Sequence, residues 1–130
     1  MRMTERVVVK ILTFKVEIKL YDKTPKGVPD HADGGVYDDL SLDKDHDAFK
    51  IWFSFARGIP TLQTLVHECW HLYMTILSHV DNHEHTFEEL NNEVYAYCFQ
   101  DIFYAVFNAV ICSKTYKRLA DEDDRNKQQV

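Results

Sequence analysis

The chain has 130 residues, 45% of them hydrophobic, with 15 Lys and Arg against 21 Asp and Glu for a net charge of −6. That length suits one domain with a core of its own. The acidic balance argues against general binding to a nucleic-acid backbone, which needs basic clusters. No apolar run approaches the roughly 18 residues that a membrane span requires. Residues 1 to 6 lack the basic, apolar and small-residue order of a signal peptide, so the expected location is cytoplasmic, with no membrane partner. Cys69, Cys98 and Cys112 are scattered, without a C-x-x-C pair, which argues for reduced thiols and against a cysteine-rich zinc site.

In chain order, Leu12, Phe14, Val16, Ile18 and Leu20 alternate with Thr13, Lys15, Glu17 and Lys19, the period of a half-buried strand. Residues 22 to 34 carry Pro25, Gly27, Pro29 and Gly34 and predict an extended loop. A short strand follows over residues 36 to 42. Asp43, Asp45 and Asp47 have the spacing of the first three ligands of a calcium loop. Ala48 stands where that loop needs glycine and Ser54 where it needs glutamate, so a hairpin turn is expected instead. Residues 49 to 55 predict a stronger strand with an open edge able to take an extended peptide, its Trp52 and Phe55 covering the helices. His31 and His46 are single loop histidines with no assigned role.

Pro60 and Thr61 mark a helix start, Thr61 being able to cap the amide of residue 63 or 64. Leu62, Leu65, Val66, Cys69, Leu72, Tyr73, Ile76 and Leu77 then recur at spacings of three and four. Within that helix lies His67-Glu68-Cys69-Trp70-His71, which spells H-E-x-x-H. Residues i and i+4 share a helix face, so His67 and His71 can reach one zinc ion from successive turns, opposite the apolar stripe. Neutral imidazole ligands keep zinc a strong Lewis acid, and Glu68 is placed to take a proton from bound water.

A zinc site with an open position has three protein ligands, so a third is needed. Thr86-Phe87-Glu88-Glu89 has the capping-box form and predicts a second helix over residues 86 to 115. Glu93 falls two turns into it, sharing a face with Tyr97, Gln100 and Tyr104. A glutamate inside an aromatic-rich helix is costly to bury without a cation, which makes Glu93 the expected third ligand. Glu89, one turn earlier, and His83 or His85 in the D-N-H-E-H connection after Asp81 are the competitors.

The two motifs together, His67-Glu68-Cys69-Trp70-His71 and Asn92-Glu93-Val94-Tyr95-Ala96-Tyr97, resemble those of the gluzincins, the thermolysin-like zinc peptidases. That family has HExxH followed by a glutamate ligand in an N-E-x-x-[SA] run, matched here through Ala96. The resemblance implies His67, His71 and Glu93 as metal ligands and Glu68 as catalytic base. In size the chain is similar to the minimal gluzincin-type metallopeptidases of phages and mobile elements and to the core of the IrrE/ImmA class. The likeness covers roughly residues 47 to 105, and no residue matches the family's oxyanion-stabilising histidine or tyrosine.

The expected fold is α+β, a three-stranded antiparallel sheet packed on two long helices, forming one domain over residues 1 to 120. Asp121-Glu122-Asp123-Asp124 and the polar residues to Val130 predict a disordered tail. The expected function is zinc-dependent peptide-bond hydrolysis on a peptide or protein substrate, with Zn2+ as cofactor. The alternative is a non-catalytic zinc-binding interaction or regulatory protein on the same scaffold.

Overall fold

The computed structural model describes residues 3–11, 14–23, 27–28, 32–36, 48–81 and 92–128. It is an α+β fold in which a four-stranded mixed sheet packs against two long helices, with a shorter third helix. The strands are β1 (Met3–Ile11), β2 (Phe14–Tyr21), β3 (Gly34–Val36) and β4 (Ala48–Ser54), in the spatial order β1-β2-β4-β3. Among the described residues the helices are α1 (Leu62–Asp81), α2 (Glu93–Ile111) and α3 (Lys114–Gln128).

Strand β2 follows its alternation. Val16, Ile18 and Leu20 are fully buried, and Val7 and Val9 of β1 stand opposite Ile18 and Val16. Phe49, Ile51 and Phe53 of β4 complete the inner face, which packs on Leu65, Cys69, Leu72, Tyr73 and Ile76 of α1 and Ile102, Val106 and Val110 of α2. Burying a side chain of this kind contributes about 1.5–3 kcal/mol, so the two helices are held mainly by this shared apolar layer.

Several expectations are corrected. The sheet has a fourth strand, β1, in which Val7, Val9 and Ile11 are less exposed than the intervening Arg6, Val8 and Lys10, although the apolar Val8 interrupts the polar side of the alternation. It is mixed, because β2 and β4 run parallel while β1·β2 and β3·β4 are antiparallel. Strand β4 lies between β2 and β3, and β3 pairs with its residues Ile51, Trp52 and Phe53, so over that stretch it has no open edge for a peptide strand. Trp52 points away from the helices and meets Tyr21 edge to face at 6.2 Å, leaving Phe55 to join the core.

The third strand begins at Gly34 rather than Val36. The expected polar turn at Asp43, Asp45 and Asp47, and the loop histidines His31 and His46, lie outside the described residues. Where composition predicts a disordered tail, α3 continues to Gln128. Its first amides are bonded by a residue far away in sequence: Glu5 accepts from the amides of Lys114 (3.2 Å) and Thr115 (2.9 Å) and from the Thr115 hydroxyl (2.8 Å). A carboxylate at the positive end of a helix is a favourable placement. Helix α2 is by length and composition long and apolar enough to cross a membrane, and here it buries Ile102, Val106 and Val110 against the core.

Candidate functional site

Helix α1 starts as its sequence dictates. The Thr61 hydroxyl accepts from the Thr64 amide at 3.2 Å, which meets one of the four amide donors that a helix N-terminus leaves unpaired. Cys69 is fully buried on the core side, and burial pushes its thiol up to about 12, so it is an inert packing residue. The same geometry turns His67 and His71 to solvent. Their Nε2 atoms are 3.2 Å apart, one ring donating to the other. The side chain of His67 is 67% exposed.

Glu68 behaves differently from its neighbours. It is only 8% exposed, because it sits at the margin of the core face and is covered by the edge strand β3. Burial pushes its carboxyl above the usual 4.5, against the opposing influence of His67 and His71. Its Oε1 is 3.7 Å from Nε2 of His67. Two cavities meet at this residue. One of about 500 Å³ is lined by Gly35, Val36, His71, Met74 and Thr75 with Glu68. The other, of about 340 Å³, is lined by Asp33, Gly34, Thr64 and His67 with Glu68. Asp33 at that end is anchored by the Arg57 guanidinium through bonds of 3.1 and 2.7 Å.

The metal centre expected from the motifs is not assembled. Among the described residues, no group of three His, Cys, Asp or Glu side chains lies close enough to hold a metal ion. The physical reason is visible at Glu93. Asn92 is the N-cap of α2, with its side-chain oxygen accepting from the Val94 amide at 2.9 Å. Glu93 is therefore the first residue of the helix, not a residue two turns in. It is exposed and needs no cation to offset burial.

Among the described residues, His67 and His71 remain a pair without the third ligand that a catalytic zinc requires. The zinc peptidase reading, with Zn2+ as cofactor and Glu68 as general base on metal-bound water, is corrected accordingly. Glu89, His83 and His85, the competing ligands, lie outside the described residues.

Helices α1 and α2 are joined by other means. Trp70, Tyr73 and Phe99 form an aromatic cluster with ring centroids 5.6–5.8 Å apart. The Tyr73 hydroxyl donates to the Tyr95 carbonyl at 2.8 Å, and burial pushes that phenol up to about 12.

The apolar stripe read from the sequence of α1 divides into two. Leu65, Cys69, Leu72, Tyr73 and Ile76 are buried, whereas Leu62 is 60%, Val66 40% and Trp70 42% exposed. The exposed three are spaced i, i+4, i+8 and form a line of their own. On α2, Val94, Tyr97 and Tyr104 are also more than half exposed. The helical spacing of the sequence places Leu62 and Val66 in the same stripe as the buried residues and leaves Trp70 outside it. The available signal was the width of the stripe, since apolar residues over so much of the circumference exceed what one core face can cover.

Comparison with protein-family models, with curated proteins and with solved structures found no match to this chain. The gluzincin likeness therefore rests on the two short motifs alone.

Proposed function

We propose that this chain is a non-catalytic interaction or regulatory protein that binds a partner protein through the apolar surface of α1 and α2. The observation that carries the reading is the line of Leu62, Val66 and Trp70, three large apolar side chains on one side of α1 left at 40–60% exposure. Trp70 contacts Phe99 of α2, so the line continues toward a second apolar helix. Scattered apolar residues on a surface are ordinary, but a row of them rimmed by polar groups marks an interaction site, and Trp and Tyr are the residue types that dominate such contacts. The partner that suits it presents an apolar helix or groove of its own.

The test is site-specific photocrosslinking in cells of the source organism. A photoreactive benzoylphenylalanine replaces Val66 in one variant, Tyr97 in a second and Glu122 in a third. The expected result is one discrete adduct from the first two positions, absent from the third and lost on adding Trp70→Asp. An adduct of twice the chain mass would identify a second copy as the partner. Absence of any adduct from positions 66 and 97, or the same pattern from position 122, would count against the reading.

A further inference from the structure

Helix α2 carries apolar side chains on every side. Its inner face buries Ile102, Val106 and Val110, and its half-buried flank holds Phe99, Phe103 and Phe107, stacked at 6.3 and 5.6 Å. The outer face, opposite the core at 100° per residue, is where a surface helix places its polar residues. Here it presents Val94, Tyr97 and Tyr104, 62–67% exposed. Glu93 and Asp101 are the two charged residues of the 19 in this helix. The outer residues are also regularly spaced. Val94, Tyr97, Asp101, Tyr104, Asn108 and Ile111 follow one another at steps of three and four, the seam along which one helix packs on another. The first four are exposed and the last two half-buried. A helix that is apolar all round is ordinarily covered all round.

From this seam we infer that a partner protein docks an amphipathic helix on the outer face of α2, with a Lys or Arg in its apolar stripe to meet Asp101. This partner chemistry rests on the reading of α1 and α2 as a docking surface. Asp101 sits between Tyr97 and Tyr104 in the seam, so docking takes its carboxylate out of water, which is costly unless a cation meets it. The surface itself supplies none. From Gly58 to Ser113, a stretch that includes all of α1 and α2, the sequence holds none of the chain's 15 Lys and Arg. A second copy suits the seam less well, since symmetric pairing brings another Asp101 and again no Lys or Arg. An anionic lipid surface is disfavoured for the same reason, and insertion of α2 into a bilayer would withdraw Ile102, Val106 and Val110 from the core. At a rise of about 1.5 Å per residue the seam spans about 25 Å, the length of a partner helix of about five turns.

The experiment measures fluorescence anisotropy of two labelled three-heptad helical peptides, held at nanomolar concentration, with the full chain. The peptides are identical but for Lys or Glu at the central seam position. The expected result is saturable binding of the Lys peptide, at least about tenfold tighter than of the Glu peptide. Asp101→Lys should reverse that preference, and Asp101→Asn should remove it. Tyr104→Asp should weaken binding of both peptides, whereas Lys117→Glu should leave both unchanged. Circular dichroism identifies any variant that fails to fold, and Asp101→Asn, the mildest change at an exposed position, then decides. Equal affinity of the parent chain for the two peptides, or a preference that Asp101→Lys leaves in place, would overturn the cation while the apolar surface stands. Binding of neither peptide would overturn the docked helix, and the crosslinks from positions 66 and 97 report on the wider surface separately. A dimer of the parent chain that is lost in Tyr104→Asp, or tighter binding to phosphatidylcholine vesicles than to the Lys peptide, would overturn the assignment in favour of a second copy or of a membrane.

Discussion

A Cβ atom on Gly34 would stand 2.9 Å from Cγ of Glu68 and 3.0 Å from the carbonyl oxygen of Trp52. The edge strand and the motif helix therefore meet at a point only glycine fits, and this contact covers Glu68. Gly35, the next residue, faces the opposite way, where a Cβ would lie 2.5 Å from Nε1 of Trp52. The Gly34-Gly35 pair is thus the element that lets a three-residue strand be held between Glu68 and Trp52.

Gly34→Ala should destabilise the fold by about 1–3 kcal/mol, the usual cost of overpacking a filled site. Adding Glu68→Ala should restore part of that loss, because the closest atom is then gone while the Trp52 carbonyl remains. Urea denaturation of the two single variants and the double variant measures the coupling. Additive effects would place the strand farther from the helix than described.

Glu68→Gln should stabilise the protein at neutral pH. The folded-state pKa of Glu68 is raised above 4.5 by burial. A raised pKa means that its contribution to stability is fully present below the unfolded value and is lost as pH rises through the folded one. Glutamine escapes that loss. The gain should shrink as pH falls and vanish below about 4.5. Thermal unfolding from acid to neutral pH tests the trend, and a variant less stable than the parent at neutral pH would show the carboxylate to be a favourable structural charge.

Glu5→Ala should cost about 0.5–2 kcal/mol, the range for losing a helix cap. The effect reaches α3 from the opposite end of the chain. Burial raises the Glu5 carboxyl, but the hydrogen bonds from Thr115 and Lys114 outweigh it and hold the group below 4.5. Its contribution is accordingly present above the unfolded value and lost as pH falls through the folded one. Hydrogen exchange at the first amides of α3 should accelerate in the variant, and unchanged protection there would rule out the cap.

Tyr73→Phe should cost about 0.5–1.5 kcal/mol, since it removes a hydrogen bond while keeping the ring in the cluster with Trp70 and Phe99. The Tyr95 carbonyl that loses its donor sits in the first turn of α2, so faster exchange should be localised to that turn. A uniform effect across all helices would point to general loosening of the core instead.

Glu93→Ala should leave stability and metal content unchanged, because Glu93 is exposed at the start of α2 and forms no group with His67 and His71. Zinc titration followed by differential scanning fluorimetry gives the check. A saturable rise in melting temperature present in the parent, and lost equally in Glu93→Ala and His71→Ala, would reinstate the three-ligand centre.

The parts of this protein legible in its sequence are those governed by local periodicity. The alternation over Phe14 to Leu20 fixes which side chains of β2 enter the core, and Thr61 announces the start of α1 that the Thr64 amide bond then realises. The spacing of His67 and His71 places both rings on the solvent side of that helix, 3.2 Å apart. Even the N-cap at Asn92 has a local signal, although the capping-box pattern at Thr86 competes with it.

What only the tertiary structure decided concerns contacts between distant segments. Strand order placed residues 48–54 inside the sheet and β3 at its edge, and the parallel pairing of β2 with β4 cannot be read from either strand alone. The burial of Glu68 comes from Gly34, more than thirty residues away, and the cap of α3 comes from Glu5. The third metal ligand was a question of the same kind. Local pattern could nominate Glu93, but proximity across two helices depends on where α2 begins and how it packs. The Asn92 cap fixes that start, leaving Glu93 in solvent.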